Sequence, residues 1–100
     1  MVTLEVIATT ADGKRLEIHM HIGAPQPQED GSWVCKVAVA PLQEQSLEVR
    51  GVDSFHAVWL SCALVLKLLT HLKAQGGELL NRDGSAFPLD AYLAGLEEKR

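Results

Sequence analysis

No glycine-rich phosphate loop, no Gly-x-Ser-x-Gly elbow and no His-Glu-x-x-His pair occurs in the sequence. The short motifs that announce nucleotide binding, serine hydrolysis or zinc hydrolysis are therefore missing. Cysteine is scarce, and Cys35 and Cys62 form neither a Cys-x-x-Cys pair nor a Cys/His metal spacing. Basic charge is scarce as well. Nine Lys and Arg stand against 13 Asp and Glu, a net charge of -4, so nothing draws the chain toward phosphate backbones and nucleic acid is not an expected partner. The acidic residues are scattered, with short clusters only at Glu29-Asp30 and Glu97-Glu98, and no repeat or low-complexity segment is present. The first residues, MVTLEVIATTADGKR, lack the basic region, apolar core and small-residue cleavage site of a secretory signal. The most apolar run, Ala57 to Leu69, is too short to span a bilayer and carries Lys67. A cytoplasmic protein with reduced thiols and no membrane partner is the expectation.

What is present is a soluble globular composition, 47% hydrophobic and 22% charged in 100 residues. That is one domain, spanning residues 1–100, able to bury a core without metal or disulfide staples. Its organising element is Ser54 to Gln75, closed by Gly76-Gly77. Asp53 is placed to cap this helix at its N-terminus. At about 100° per residue, Phe55, Val58, Trp59, Cys62, Val65, Leu66, Leu69 and Leu72 share one face, which is the expected core face. His56, Lys67, Thr70, His71 and Ala74 lie opposite.

Before the helix, alternation marks four strands. Val2 to Thr10 points Val2, Leu4, Val6 and Ala8 one way. Arg15 to Ile22 points Leu16, Ile18, Met20 and Ile22 inward and Glu17, His19 and His21 outward. Parity fixes the turn between them. A two-residue loop would set Ala8 against Glu17, whereas a three-residue Ala11-Asp12-Gly13 loop pairs Ala8 with Leu16, Val6 with Ile18 and Leu4 with Met20. Gly13 then takes the left-handed position. Gly23 to Gly31 reads as a loop. Ser32 to about Ala40 forms the third strand, with Trp33, Cys35, Val37 and Val39 inward. Ser46 to Arg50 forms the fourth, with Leu47 and Val49 inward. Glu78 to Arg82 reads as a short fifth strand or an extended return, and Pro88 opens a final helix from Leu89 to about Glu98 with Leu89, Tyr92, Leu93 and Leu96 as its stripe. The fold expected is α+β: a four- to five-stranded, mainly antiparallel sheet with the long helix on one face and a short C-terminal helix beside it.

Ile22-Gly23-Ala24-Pro25, Trp33-Val34-Cys35 and Gly51-Val52-Asp53-Ser54 form a pattern that resembles a family of short bacterial proteins known only as a domain of unknown function. The likeness runs from about Ile18 to Leu72. It implies a bacterial origin and brings no reaction, ligand or functional residue. Each matched piece also has a structural reading: a strand end, two core side chains and a helix cap.

Three constellations remain as candidates. His19 and His21 share the outward face of the second strand, with Glu5 opposite His19, and two imidazoles with a carboxylate suit a divalent metal. The bland reading is the polar face of a one-sided sheet. Cys35 and Cys62 both point toward the sheet–helix layer, where a disulfide has room to form, although two buried thiols suit a reducing cytosol better. Neither cysteine has the exposure or neighbouring base a nucleophile needs.

The third candidate is the surplus of apolar surface on the helix. Ala57, Leu64 and Leu68 form a flank, and Leu60 and Ala63 interrupt the polar side. The final helix is expected to pack on the Leu64/Leu68 flank, which leaves Leu60 and Ala63 unexplained; the sharper reading makes part of the strip Leu60, Ala63, Leu64 and Leu68 an interface, either a homodimer seam or a partner site. A non-enzymatic, cofactor-free protein-interaction module follows, binding a partner protein or itself as a homodimer through the helix or a sheet edge. An immunity protein or antitoxin that blocks a toxin is the alternative; a metal-binding protein or a small enzyme ranks below both.

Overall fold

The computed structural model describes residues 1–94. Its elements in chain order are β1 (Val2–Thr9), β2 (Arg15–Ile22), β3 (Gln26–Pro27), β4 (Trp33–Ala40), β5 (Leu47–Gly51), α1 (Ser54–Ala74), β6 (Glu78–Leu80) and α2 (Leu89–Ala94). All strand pairings are antiparallel. β1, β2, β4 and β5 run as a meander, and β6 returns to the far side of β1. The α+β architecture read from the sequence is the one observed, and Glu78–Leu80 is a strand. The Gly23–Gly31 loop contains one element the sequence did not suggest. The two-residue β3 pairs with Val34 and Trp33 and prolongs the line of β2 along the same edge of β4. The expected final helix is described only to Ala94; Leu96 and the last expected turn lie outside the described residues.

The first hairpin has the register that parity requires, with Ala8 opposite Leu16, Val6 opposite Ile18 and Leu4 opposite Met20. The amide of Thr10 donates to the carbonyl of Lys14 across the turn at 2.8 Å, and Gly13 sits at φ 88. One parity argument thus placed 16 strand residues on their correct faces.

Three turns share one device. The Asp12 carboxylate accepts from the Thr10 hydroxyl and the Lys14 amide. Asp30 accepts from both the hydroxyl and the amide of Ser32, and Asp83 from those of Ser85. These bonds favour the ionised form. In each case the side-chain hydroxyl is the larger cause and the amide the next, and each holds its carboxyl below the ordinary aspartate value. A folded-state pKa below the unfolded one stabilises the fold above the unfolded pKa, and the effect is lost as pH falls through the folded value. Stability should therefore decline below about pH 4. A triple Asp12→Asn, Asp30→Asn, Asp83→Asn variant should show a flatter decline in acid thermal melts. Equal slopes for variant and parent would contradict this account.

The core lies between the sheet and α1. Val6, Ile18, Cys35, Val37 and Val39 from the strands and Ala57 and Leu69 from the helix are almost completely buried. The helix runs diagonally. It starts at the end of β5, where Gly51 lies against Ala57, and finishes beside the β1–β2 turn, where Gly76 meets Ala11. Asp53 is the N-cap, its Oδ1 accepting from the His56 amide at 2.7 Å. The His56 ring answers, its Nδ1 accepting from the Val52 amide at 3.0 Å. Two of the free donors at the helix entry are satisfied by this exchange, a variation on the capping box.

The rotation of α1 about its axis differs from the expected one. Its buried residues are Ala57, Ser61, Val65 and Leu69. Phe55, Trp59 and Cys62, expected in the core, are exposed, with Phe55 at 77% and Trp59 at 45%. The small side chains explain the shift. Ala57 and Ser61 let the helix backbone sit close to the sheet at its N-terminal half, and Ser61 Oγ donates to the Ala57 carbonyl at 2.8 Å, so its burial leaves no unpaired hydroxyl. A Cβ at Gly51 would fall 2.4 Å from the Ala57 amide nitrogen, so only glycine permits this approach. Bulk pointed one way and the closest approach of the backbones decided another.

The two edges of the sheet are finished differently. β6 is partly covered: Leu80 bridges to Ala86, the Phe87 amide donates to the Leu79 carbonyl at 3.0 Å, and Asn81 donates to Ser85 at 2.8 Å. β5 pairs with β4 on one side only, and no other described backbone hydrogen-bonds to its outer edge.

Candidate functional site: the flanks of the long helix

Because α1 crosses the sheet diagonally, it leaves one corner of the apolar face open at the start of β1 and the end of β2. There a groove of about 270 Å³ has Leu4, Met20 and Ile22 as its floor. Cys62 and Leu66 of α1 form one wall and Tyr92 of α2 closes the end. Tyr92 is held by stacking on Phe87, with ring centroids 5.0 Å apart and planes 16° apart. Phe87 is itself buried, which anchors the start of α2. The final helix therefore sits on the Leu66 side of α1, not on the expected Leu64/Leu68 flank.

Of the four residues flagged on that flank, Leu68 packs against the core. Leu60, Ala63 and Leu64 are half-buried and line a shallow depression of about 640 Å³ over the outward surface of α1, together with Lys67 and Leu93. Phe55 and Trp59 add exposed aromatic surface on the other flank. Sequence reading missed these two, as it missed Cys62 and Tyr92, by assigning the first three to the core. The pair Ala57 and Ser61, small residues one helical turn apart, was the signal that could have found the true seam.

The two cysteines are separated by this geometry. Cys35 is buried and Cys62 is exposed on the groove wall, and both are free thiols.

On the opposite, polar face of the sheet the structure brings Glu5 and His19 together. His19 Nδ1 lies 3.5 Å from Glu5 Oε1. The other carboxylate oxygen is taken by Arg82, whose Nη1 is 2.7 Å from Glu5 Oε2. A guanidinium on the carboxylate opposes a cation there. His21 sits opposite Thr3 and stays outside the cluster. Among the described residues no group of three or more His, Cys, Asp or Glu is arranged to hold a metal ion. Arg82 and its neighbours instead help to cover Ile7, which points to the polar face yet is only 5% exposed. The ion pair is exposed and contributes at most about 1 kcal/mol.

The family model of a domain of unknown function, DUF6968, matches residues 4–89. The chain belongs to this family. The match spans the sheet, α1 and the first residue of α2, so the floor and the α1 wall of the groove lie within the DUF6968 domain and Tyr92 lies beyond the match. No curated protein matches the chain, and no solved structure does.

By length and composition α1 of this DUF6968 domain would also serve to cross a membrane. It has 21 residues and a mean hydropathy of 1.5 over its most apolar 18-residue window, longer than the run picked out in the sequence. In the fold its Ala57–Leu69 stripe lies on the sheet instead.

Proposed function

We propose that this domain is a non-enzymatic protein-interaction module that presents the outward half of α1 to another protein chain. The observation that carries the proposal is the mismatch between the helix's composition and its burial. A 21-residue helix with eight aromatic or leucine side chains buries only one of them, Leu69, completely. Folding alone gives no reason to place Phe55 and Trp59 in water, whereas exposed aromatics beside an apolar groove are the usual anchors of protein interfaces.

A photo-crosslinking amino acid at position 59 tests the proposal in the native host. A discrete adduct is expected, which Phe55→Glu should weaken while leaving thermal stability nearly unchanged. The same probe at position 21, on the polar face of the sheet, should give no such adduct. Absence of a discrete adduct at 59, or the same adduct from both positions, would sink the proposal.

A further inference from the structure

We infer that β5 is the seam at which a second copy of this chain adds, edge to edge and antiparallel, about a two-fold axis through Val49. The inference rests on reading the domain as a protein-interaction module and gives it a second surface, apart from Phe55 and Trp59.

The sheet ends differently at its two edges, with β6 pairing Ile7–Thr9 of β1 at one and β5 forming the other. The return of Ala86 and Phe87 covers part of β6, whereas β5 leaves a run from Leu47 to Gly51 with its outer edge unpaired among the described residues. Unpaired edges are templates for another strand, and natural proteins blunt them with proline, bulges, charges or short strands. β5 has neither proline nor bulge. Its two charges, Glu48 and Arg50, are of opposite sign and two residues apart, both exposed.

That spacing is self-complementary. An antiparallel pairing centred on Val49 sets each Glu48 opposite the second copy's Arg50, twice, so both outward positions carry an opposite-charge cross-strand pair. The inner row matches as well. Val49 meets Val49, and each Leu47 lies across from a Gly51 and beside the Ala57 turn of α1 that packs on that glycine. Leu47 and Val49 are half-buried, consistent with an inner row that one chain covers incompletely. A two-fold perpendicular to the sheet also keeps both long helices on one face.

Light scattering with charge-swapped variants tests the seam and its register together. The natural chain should have twice its 10.9 kDa mass at high concentration. Glu48→Arg should be a monomer because Arg then faces Arg50, and Arg50→Glu should be a monomer because Glu then faces Glu48. An equimolar mixture of the two single variants should recover the doubled mass, and so should the double swap Glu48→Arg/Arg50→Glu. Both singles also disturb neighbours in their own chain. Glu48 pairs across from Lys36, and Arg50 lies 3.6 Å from Asp30 and donates to the Ser32 hydroxyl. Recovery on mixing is what separates a broken seam from a damaged fold. A natural chain that stays monomeric at millimolar concentration, a dimer that neither single variant weakens, or a mixture that fails to reassociate would each overturn the inference. None of these results touches the crosslink expected at position 59.

Discussion

Replacing Gly51 with alanine is expected to destabilise the domain by about 3 kcal/mol or more, at the upper end of what overpacking usually costs. The added Cβ would meet the Ala57 nitrogen at 2.4 Å, the Ala57 Cα at 2.8 Å and the His56 carbonyl carbon at 2.8 Å. All three are backbone atoms of the first helical turn, so no side chain can swing away and relieve the contact. The N-terminus of α1 has to lift from β5, taking Ala57 out of the core. For a domain of this size the midpoint of thermal unfolding should drop by roughly 12–24 °C. Gly13→Ala is the informative comparison. Gly13 has nothing within 4 Å of an added Cβ but lies at φ +88, so its cost is the conformational penalty of about 1 kcal/mol alone. Urea unfolding of the two variants should rank them in that order. Equal losses would mean that the contact with α1 is not what requires glycine at position 51.

Truncating Leu69 to alanine should cost about 3 kcal/mol, since its side chain is completely buried and its removal leaves a cavity beneath the helix. Phe55→Ala should change stability by less than about 0.5 kcal/mol despite removing more apolar atoms, because Phe55 is 77% exposed. This pair reads out the rotation of α1 directly. A helix turned to the phase that its bulky residues suggest would make Phe55 the costly position. A Phe55→Ala variant that loses as much stability as Leu69→Ala would overturn the packing described above.

How much the sequence disclosed can be followed through particular residues. The β1–β2 register was legible because a one-residue slip exchanges every inward and outward side chain, leaving Ala8 opposite Leu16 as the consistent solution. The Asp53 cap was legible because a cap is local, set by one carboxylate and the amide three residues on. The phase of α1 was not. Its apolar residues nearly surround the helix, so periodicity constrained the rotation weakly, and the Gly51–Ala57 contact that fixes it is a tertiary fact. Cys62, Phe55 and Trp59 were misplaced for that one reason, and the groove was hidden with them. Ile7 was invisible in another way. Its position in β1 assigns it to the polar face, and what buries it there includes Arg82, 77 residues away from the Glu5 carboxylate it pairs with.

The bridge from Leu80 to Ala86 bears on how large any assembly of this chain can become. A sheet with two open edges can add copies at both ends and has no natural stopping point, the route by which folded proteins turn into fibres. Here the return of Ala86 and Phe87 covers part of β6, and β6 in turn pairs with Ile7–Thr9 of β1. The Leu80–Ala86 bridge thus shortens the strand surface open at that end, and Phe87 beside it, buried in the core, holds the return in place.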